Sequence, residues 1–181
     1  MKSLTHWPAL LAMVAAGILA GCSHTVQSPD VTQTIRQALD QAGLKKVSVT
    51  QDRGKGVVTL GGQVALEGEK GQAESIATSI ATGLVVADQI AVLPVGAEGD
   101  ARTMNSDLDQ GIEHNLDAAL IQSKLHDHVK FAVKNRVVTL TGEVDSQSKR
   151  RDAEQVAASV PNVQQVVNEL QVKNQKATSS E

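Results

Sequence analysis

The segment Val57-Val58-Thr59-Leu60-Gly61-Gly62-Gln63-Val64 returns as Val137-Val138-Thr139-Leu140-Thr141-Gly142-Glu143-Val144, and the match runs without a gap to Val92 and Val172, with about a third of the positions identical. A chain that repeats itself over this length is built from two copies of one supersecondary unit, so any fold proposed for one copy must serve the other. Upstream the copies stay aligned. Val47 and Val49 match Val129 and Phe131, with a longer loop in the first copy at 52–56, and Ile35, Ala38, Leu39 and Leu44 match Leu116, Ala119, Leu120 and Leu125. The units span 30–94 and 112–174. Each has about sixty residues, small for an independent core. With a single cysteine in the chain no internal disulfide is available, and packing alone must hold them.

Each copy reads as helix, strand, strand, helix, strand. Val31, Ile35, Ala38, Leu39 and Ala42 recur at helical spacing, as do Ile112, Leu116, Ala119 and Leu120, with Asp30 placed to cap the first helix and Gly43 to stop it. Segments 47–51 and 129–133 lead through turns at 53–56 and 134–136 into the β-branched Val-Val-Thr-Leu strands, a hairpin signature. Gly62 and Gly142 fall near the ends of those strands, where glycine marks a bulge or a close backbone approach. A second helix presents Ala73, Ile76, Ala77 and Ile80, or Ala153, Val156, Ala157 and Val160, and the runs 84–92 and 163–172 return to the sheet. A strand-helix-strand crossover makes its two strands parallel. The fold class expected is therefore α/β (α+β): two tandem αββαβ units, each a three-stranded mixed sheet with both helices packed on one face.

The N-terminus carries a different signal. Lys2 precedes an apolar run from Ala9 to Ala20, a secretory h-region too short to span a bilayer. Leu19-Ala20-Gly21-Cys22 resembles the lipobox of bacterial lipoproteins, which implies removal of residues 1–21 and acylation of Cys22, the lone cysteine. Several acyl chains on that residue would hold the protein at a membrane for practical purposes permanently. Ser23, rather than aspartate, after the cysteine points to the outer membrane, with the protein facing the periplasm. Residues 22–29 would form a short tether. The acidic stretch 95–111, with Glu98, Asp100, Asp107 and Asp109 against Arg102, is expected to be a mobile linker, and 175–181 a disordered tail.

Composition excludes several functions. Apart from Trp7 in the leader the only aromatic residue is Phe131, and the net charge is −3. Neither stacking platforms nor a basic field for a nucleic-acid backbone can be assembled from this. His126-Asp127-His128 with His114 lacks a further fixed metal ligand and has no counterpart in the first copy. No Ser, His and Asp stand at a recognisable catalytic spacing. A binding protein rather than an enzyme is expected, with no cofactor and no metal.

The pattern V-V-T-L-x-G-x-V, the alanine-striped helix and Val163-x-x-Val166-Val167-Asn168-x-Leu170-x-Val172 resemble the BON domain, named for an osmotically induced periplasmic protein and nodulation proteins. The first copy departs from the pattern at Ala87-Asp88 and Gly83-Leu84. Two such domains behind a lipobox look like the dual-BON outer-membrane lipoproteins, and the resemblance implies binding to anionic phospholipid in support of envelope integrity. The candidate contact is Lys149-Arg150-Arg151, the one run of three cations, which falls in the first turn of the last helix after the capping candidates Asp145 and Ser146. Helix-start amides and three cations can receive a phosphate; the plainer reading is a basic, solvated helix face. The first copy has Glu69-Lys70-Gly71 there, preceded by Glu67, so only the second is equipped for an anion. The rival to lipid is an envelope protein partner docked on exposed sheet faces or strand edges.

Overall fold

A computed structural model describes residues 27–173. The first unit consists of α1 (Thr32–Gln41), β1 (Val47–Asp52), β2 (Val57–Val64), α2 (Glu67–Ile80), β3 (Val85–Asp88) and β4 (Ala91–Val92). The second consists of α3 (Glu98–Gln122), β5 (Val129–Lys134), β6 (Val137–Val144), α4 (Gln147–Ala158), β7 (Gln165–Asn168) and β8 (Gln171–Val172). In each sheet the central strand pairs antiparallel with the hairpin strand before it and parallel with the strands after the crossover helix. The third strand of each unit is interrupted, at Gln89-Ile90 and at Glu169-Leu170. Ile90 and Leu170 drop into the two cores, which locally takes the chain out of the ladder.

Strand alternation assigns two faces. Val58, Leu60 and Val86 face α1 and α2, and Val138, Leu140 and Val166 face α3 and α4. The helices approach closely because the stripe residues Ala73, Ala77, Ala153 and Ala157 are fully buried and small. At Gly62 and Gly142 φ is +90° and +119°, and a Cβ would collide with the carbonyl oxygens of Lys46 and His128. Gly43 closes α1 at φ +81°, whereas Lys124 takes the same left-handed turn after α3 at φ 56°.

One expectation needs correction. Residues 98–111 are not a mobile linker but the first half of α3. Glu98 and Asp100 sit in its first turn, where the helix dipole favours acids, and Asp109 accepts hydrogen bonds from Asn135 N and Arg136 N, both at 2.8 Å. Acids expected to repel one another are thus separately satisfied. The sheet faces turned away from the helices are covered in part by the other unit, while Ser48 and Thr50 of β1 and Lys130 and Ala132 of β5 stay exposed. Val57 and Ala87 of the first unit pack against Val137 and Val167 of the second, the same two positions from each copy, which makes the interface nearly two-fold. Gln165 reinforces it. Its amide donates to Val86 O (2.6 Å) and accepts from Asp88 N (2.9 Å), supplying the peptide partner that edge strand β3 lacks.

Candidate functional site

The start of α4 is capped by Ser146, whose Oγ accepts from Lys149 N at 3.2 Å. No acidic residue occupies its first turn. The three cations that follow do not converge. Lys149 Nζ reaches back to Asp145 Oδ2 at 2.7 Å, and this hydrogen bond, followed by the lysine's charge, holds the Asp145 carboxyl below the usual carboxylate range. Arg150 is half-buried and donates from Nε to Leu170 O (3.0 Å) and from Nη2 to Asn168 O (2.8 Å). Asn168 completes the lock, donating from Nδ2 to Arg150 O and to Glu154 Oε2 and accepting from Leu170 N. Arg150 therefore holds the interruption between β7 and β8 together. Arg151 is exposed and has no side-chain partner among the described residues. An anion arriving here meets Lys149 and Arg151, while Arg150 is committed to the fold.

The same place in the first unit is chemically different. Lys70 stands where Arg150 does and Asp88 where Asn168 does, and these are the buried charged residues among those described. Asp88 Oδ1 accepts from Ile90 N at 3.1 Å, while Lys70 Nζ lies 4.0 Å from Oδ2, beyond hydrogen-bond reach. Burial pushes the Asp88 carboxyl up, against the opposing effects of the Ile90 amide and of Lys70. Both residues line a cleft of about 390 Å³ between the units, with Glu67 and Glu74 on one wall and Gln164 and Gln165 on the other. With Glu67 and Glu69 in its first turn, the start of α2 repels anions.

Cys22 lies outside the described residues. His126 is exposed and contacts Asp117 Oδ1 at 3.1 Å, and no group of three His, Cys, Asp or Glu suited to a metal occurs among the described residues. No helix there is long and apolar enough to cross a membrane.

A model of the BON domain matches residues 27–94 and again 108–174. The chain belongs to the BON domain family. Osmotically-inducible protein Y of Escherichia coli (strain K12) is 29% identical over 146 residues, which cover 79% of this chain and 71% of that protein. Among solved structures, CdsD, a structural protein of the type III secretion system of Chlamydia trachomatis, aligns at 15% identity over 80% of this chain and 92% of its own, with a TM-score of 0.36. That overlap is too loose to bear on function.

Sequence reasoning missed the contacts that join the two BON domains. Besides Gln165, these include the ion pair between Lys55 and Glu169, the hydrogen bond from Asn135 Nδ2 to Gln89 O (2.7 Å) and the hydrogen bond from Arg102 Nη2 to Gln63 Oε1 (3.1 Å). Lys55 matches Asn135 and Gln89 matches Glu169 in the repeat, so the Lys55 and Asn135 contacts are one contact seen from either side of the near two-fold. The Glu169 carboxylate holds the Lys55 ammonium above its usual value. One cue to the helical link was present in the sequence: Met104, Leu108, Ile112, Leu116 and Leu120 recur every four residues straight through the supposed linker.

Proposed function

We propose that this protein is a lipid-anchored envelope protein, acylated at Cys22 and facing the periplasm from the outer membrane. Its second BON domain binds anionic phospholipid, and it acts by binding rather than by catalysis. The observation that carries the reading is the start of α4, which has a satisfied serine cap, no acid in its first turn, an exposed Arg151, and a half-exposed Lys149 whose one partner is the exposed Asp145. Membership of the BON family and the likeness to an osmotically inducible protein support a role in envelope integrity. Cations near an anionic surface gain ~1 kcal/mol each, enough for reversible contact that an acyl anchor makes lasting.

A protein partner is the second reading, favoured by one specific feature. Met104 is 64% exposed on α3 beside Leu108, over a shallow depression bordered by Asp100 and Asp107. Flotation of a leaderless Cys22→Ser chain separates the two. Recovery with phosphatidylglycerol vesicles but not with neutral ones supports lipid binding; recovery with neither overturns it in favour of the protein partner.

A further inference from the structure

We infer that the interface between the two BON domains fixes the molecule's orientation on its anchor, turning the start of α4 toward the leaflet that holds Cys22 and the start of α2 away from it. This rests on the acylation of Cys22 proposed above. The chain leaving the anchor becomes fixed almost at once. Ser28 N donates to Arg53 O (2.9 Å), Arg53 Nε donates to Ser28 O (2.8 Å), and Gln51 Nε2 donates to Pro29 O (2.8 Å), which sews residues 28–29 along the end of β1. From Cys22 to Ser28 the chain reaches at most ~20 Å at ~3.3–3.6 Å per residue. The hairpin turn between β1 and β2 therefore stays close to the bilayer.

From that turn a continuous set of contacts leads to α4. Lys55, within the turn, pairs with Glu169 of the second domain, and the next residue, Leu170, accepts at its carbonyl from Arg150 in the first turns of α4. The relation between the domains is held at further points, by Gln165 on β3 and by the packing of Val57, Ala87, Val137 and Val167. The near two-fold sends the equivalent path the other way. Asn135 bonds to Gln89 O, and Ile90 beyond it leads through Asp88 to Lys70 and the start of α2. Of two otherwise equivalent helix starts, the one linked to the tethered turn carries Lys149 and Arg151, and the other carries Glu67 and Glu69. An anionic leaflet attracts the first and repels the second, so tether position and charge select the same face.

The mature acylated protein tests this directly, because acylation blocks the only native thiol and leaves an introduced cysteine as the sole labelling site. Ser148→Cys and Gly68→Cys place a fluorophore at matching exposed positions in α4 and α2, and a side chain at Gly68 meets nothing within 4 Å. Each labelled protein is bound to vesicles of phosphatidylglycerol and phosphatidylcholine that carry a headgroup nitroxide quencher. The expected result is that the probe at 148 loses most of its emission while the probe at 68 retains most of it. Equal quenching, or stronger quenching at 68, overturns the orientation. If the unlabelled mature protein fails to sediment with any vesicle, the anchored reading itself falls and the orientation falls with it, an outcome separable from misorientation on a bound protein.

Discussion

In the first domain the break in the third strand is spanned by Asp88 with Lys70 behind it, and in the second by Asn168 with Arg150. Both solutions occupy the same backbone geometry, since Asp88 and Asn168 each accept an amide two residues on. They differ in how the cation is used. A guanidinium satisfies two carbonyls through its fixed fork of donors and needs no carboxylate beside it, whereas a buried ammonium is a point charge that calls for one. Once Asn replaces Asp, no buried negative charge remains at the start of α4 to offset Lys149 and Arg151. The first domain keeps its cation beside the Asp88 carboxyl in a cleft lined by Glu67 and Glu74, so the two repeats present opposite charge at the same place in the fold.

The feature the domains share gives the largest expected effect. Gly142→Ala forces a Cβ against the His128 carbonyl at a φ of +119° and should lower stability by ~3 kcal/mol in denaturant unfolding. A loss under ~0.5 kcal/mol, the ordinary surface range, would show that the close approach at Gly142 is not required by the fold. Next comes the pair that differs. Arg150→Ala removes two charge-assisted hydrogen bonds and should cost ~2–3 kcal/mol, clearly more than Lys70→Ala, whose ammonium makes no bond shorter than 4.0 Å to Asp88. Equal losses would break the distinction between fork and point charge.

The smallest effect is the pH dependence that Asp88 gives the first domain. Burial raises the folded pKa of Asp88 above its unfolded value, so the folded state binds this proton more tightly. The stabilisation is complete below the ordinary carboxyl pKa and is lost as pH rises through the folded value. Relative to Asp88→Asn, the parent should therefore gain stability as pH falls from neutrality toward the ordinary carboxyl range, measured by urea unfolding at each pH. A difference that stays flat with pH would mean that burial does not raise the Asp88 carboxyl above its unfolded value.

Much of the fold was legible because it is written twice. The alanine stripes, the Val-Val-Thr-Leu strands and the placement of Gly62 and Gly142 follow from periodicity and from the demand that both copies obey one pattern. The helical half of α3 was obscured by composition: Glu98, Asp100 and Asp109 look alike as charges, yet two occupy the helix's first turn and the third binds the amides of a distant turn. The candidate site was legible only in part. A run of three cations gives no sign that its middle member reaches back to carbonyls at 168 and 170, because that depends on where the strand breaks. Contacts across the interface, such as Gln165 on β3, lie between domains and leave no local periodicity.

The central claim, that the second domain's open helix start binds anionic lipid, is tested most directly by vesicle flotation of the leaderless Cys22→Ser chain beside its Lys149→Glu/Arg151→Glu variant. Arg150 is kept so that the fold is not disturbed, and the acyl group is absent so that it cannot mask a loss. The account predicts that the parent floats with phosphatidylglycerol vesicles and releases as screening lengths shrink from ~10 Å at 0.1 M salt toward ~3 Å at 1 M, while the variant stays behind at low salt. A variant that floats as well as the parent, with unchanged salt dependence, would contradict it.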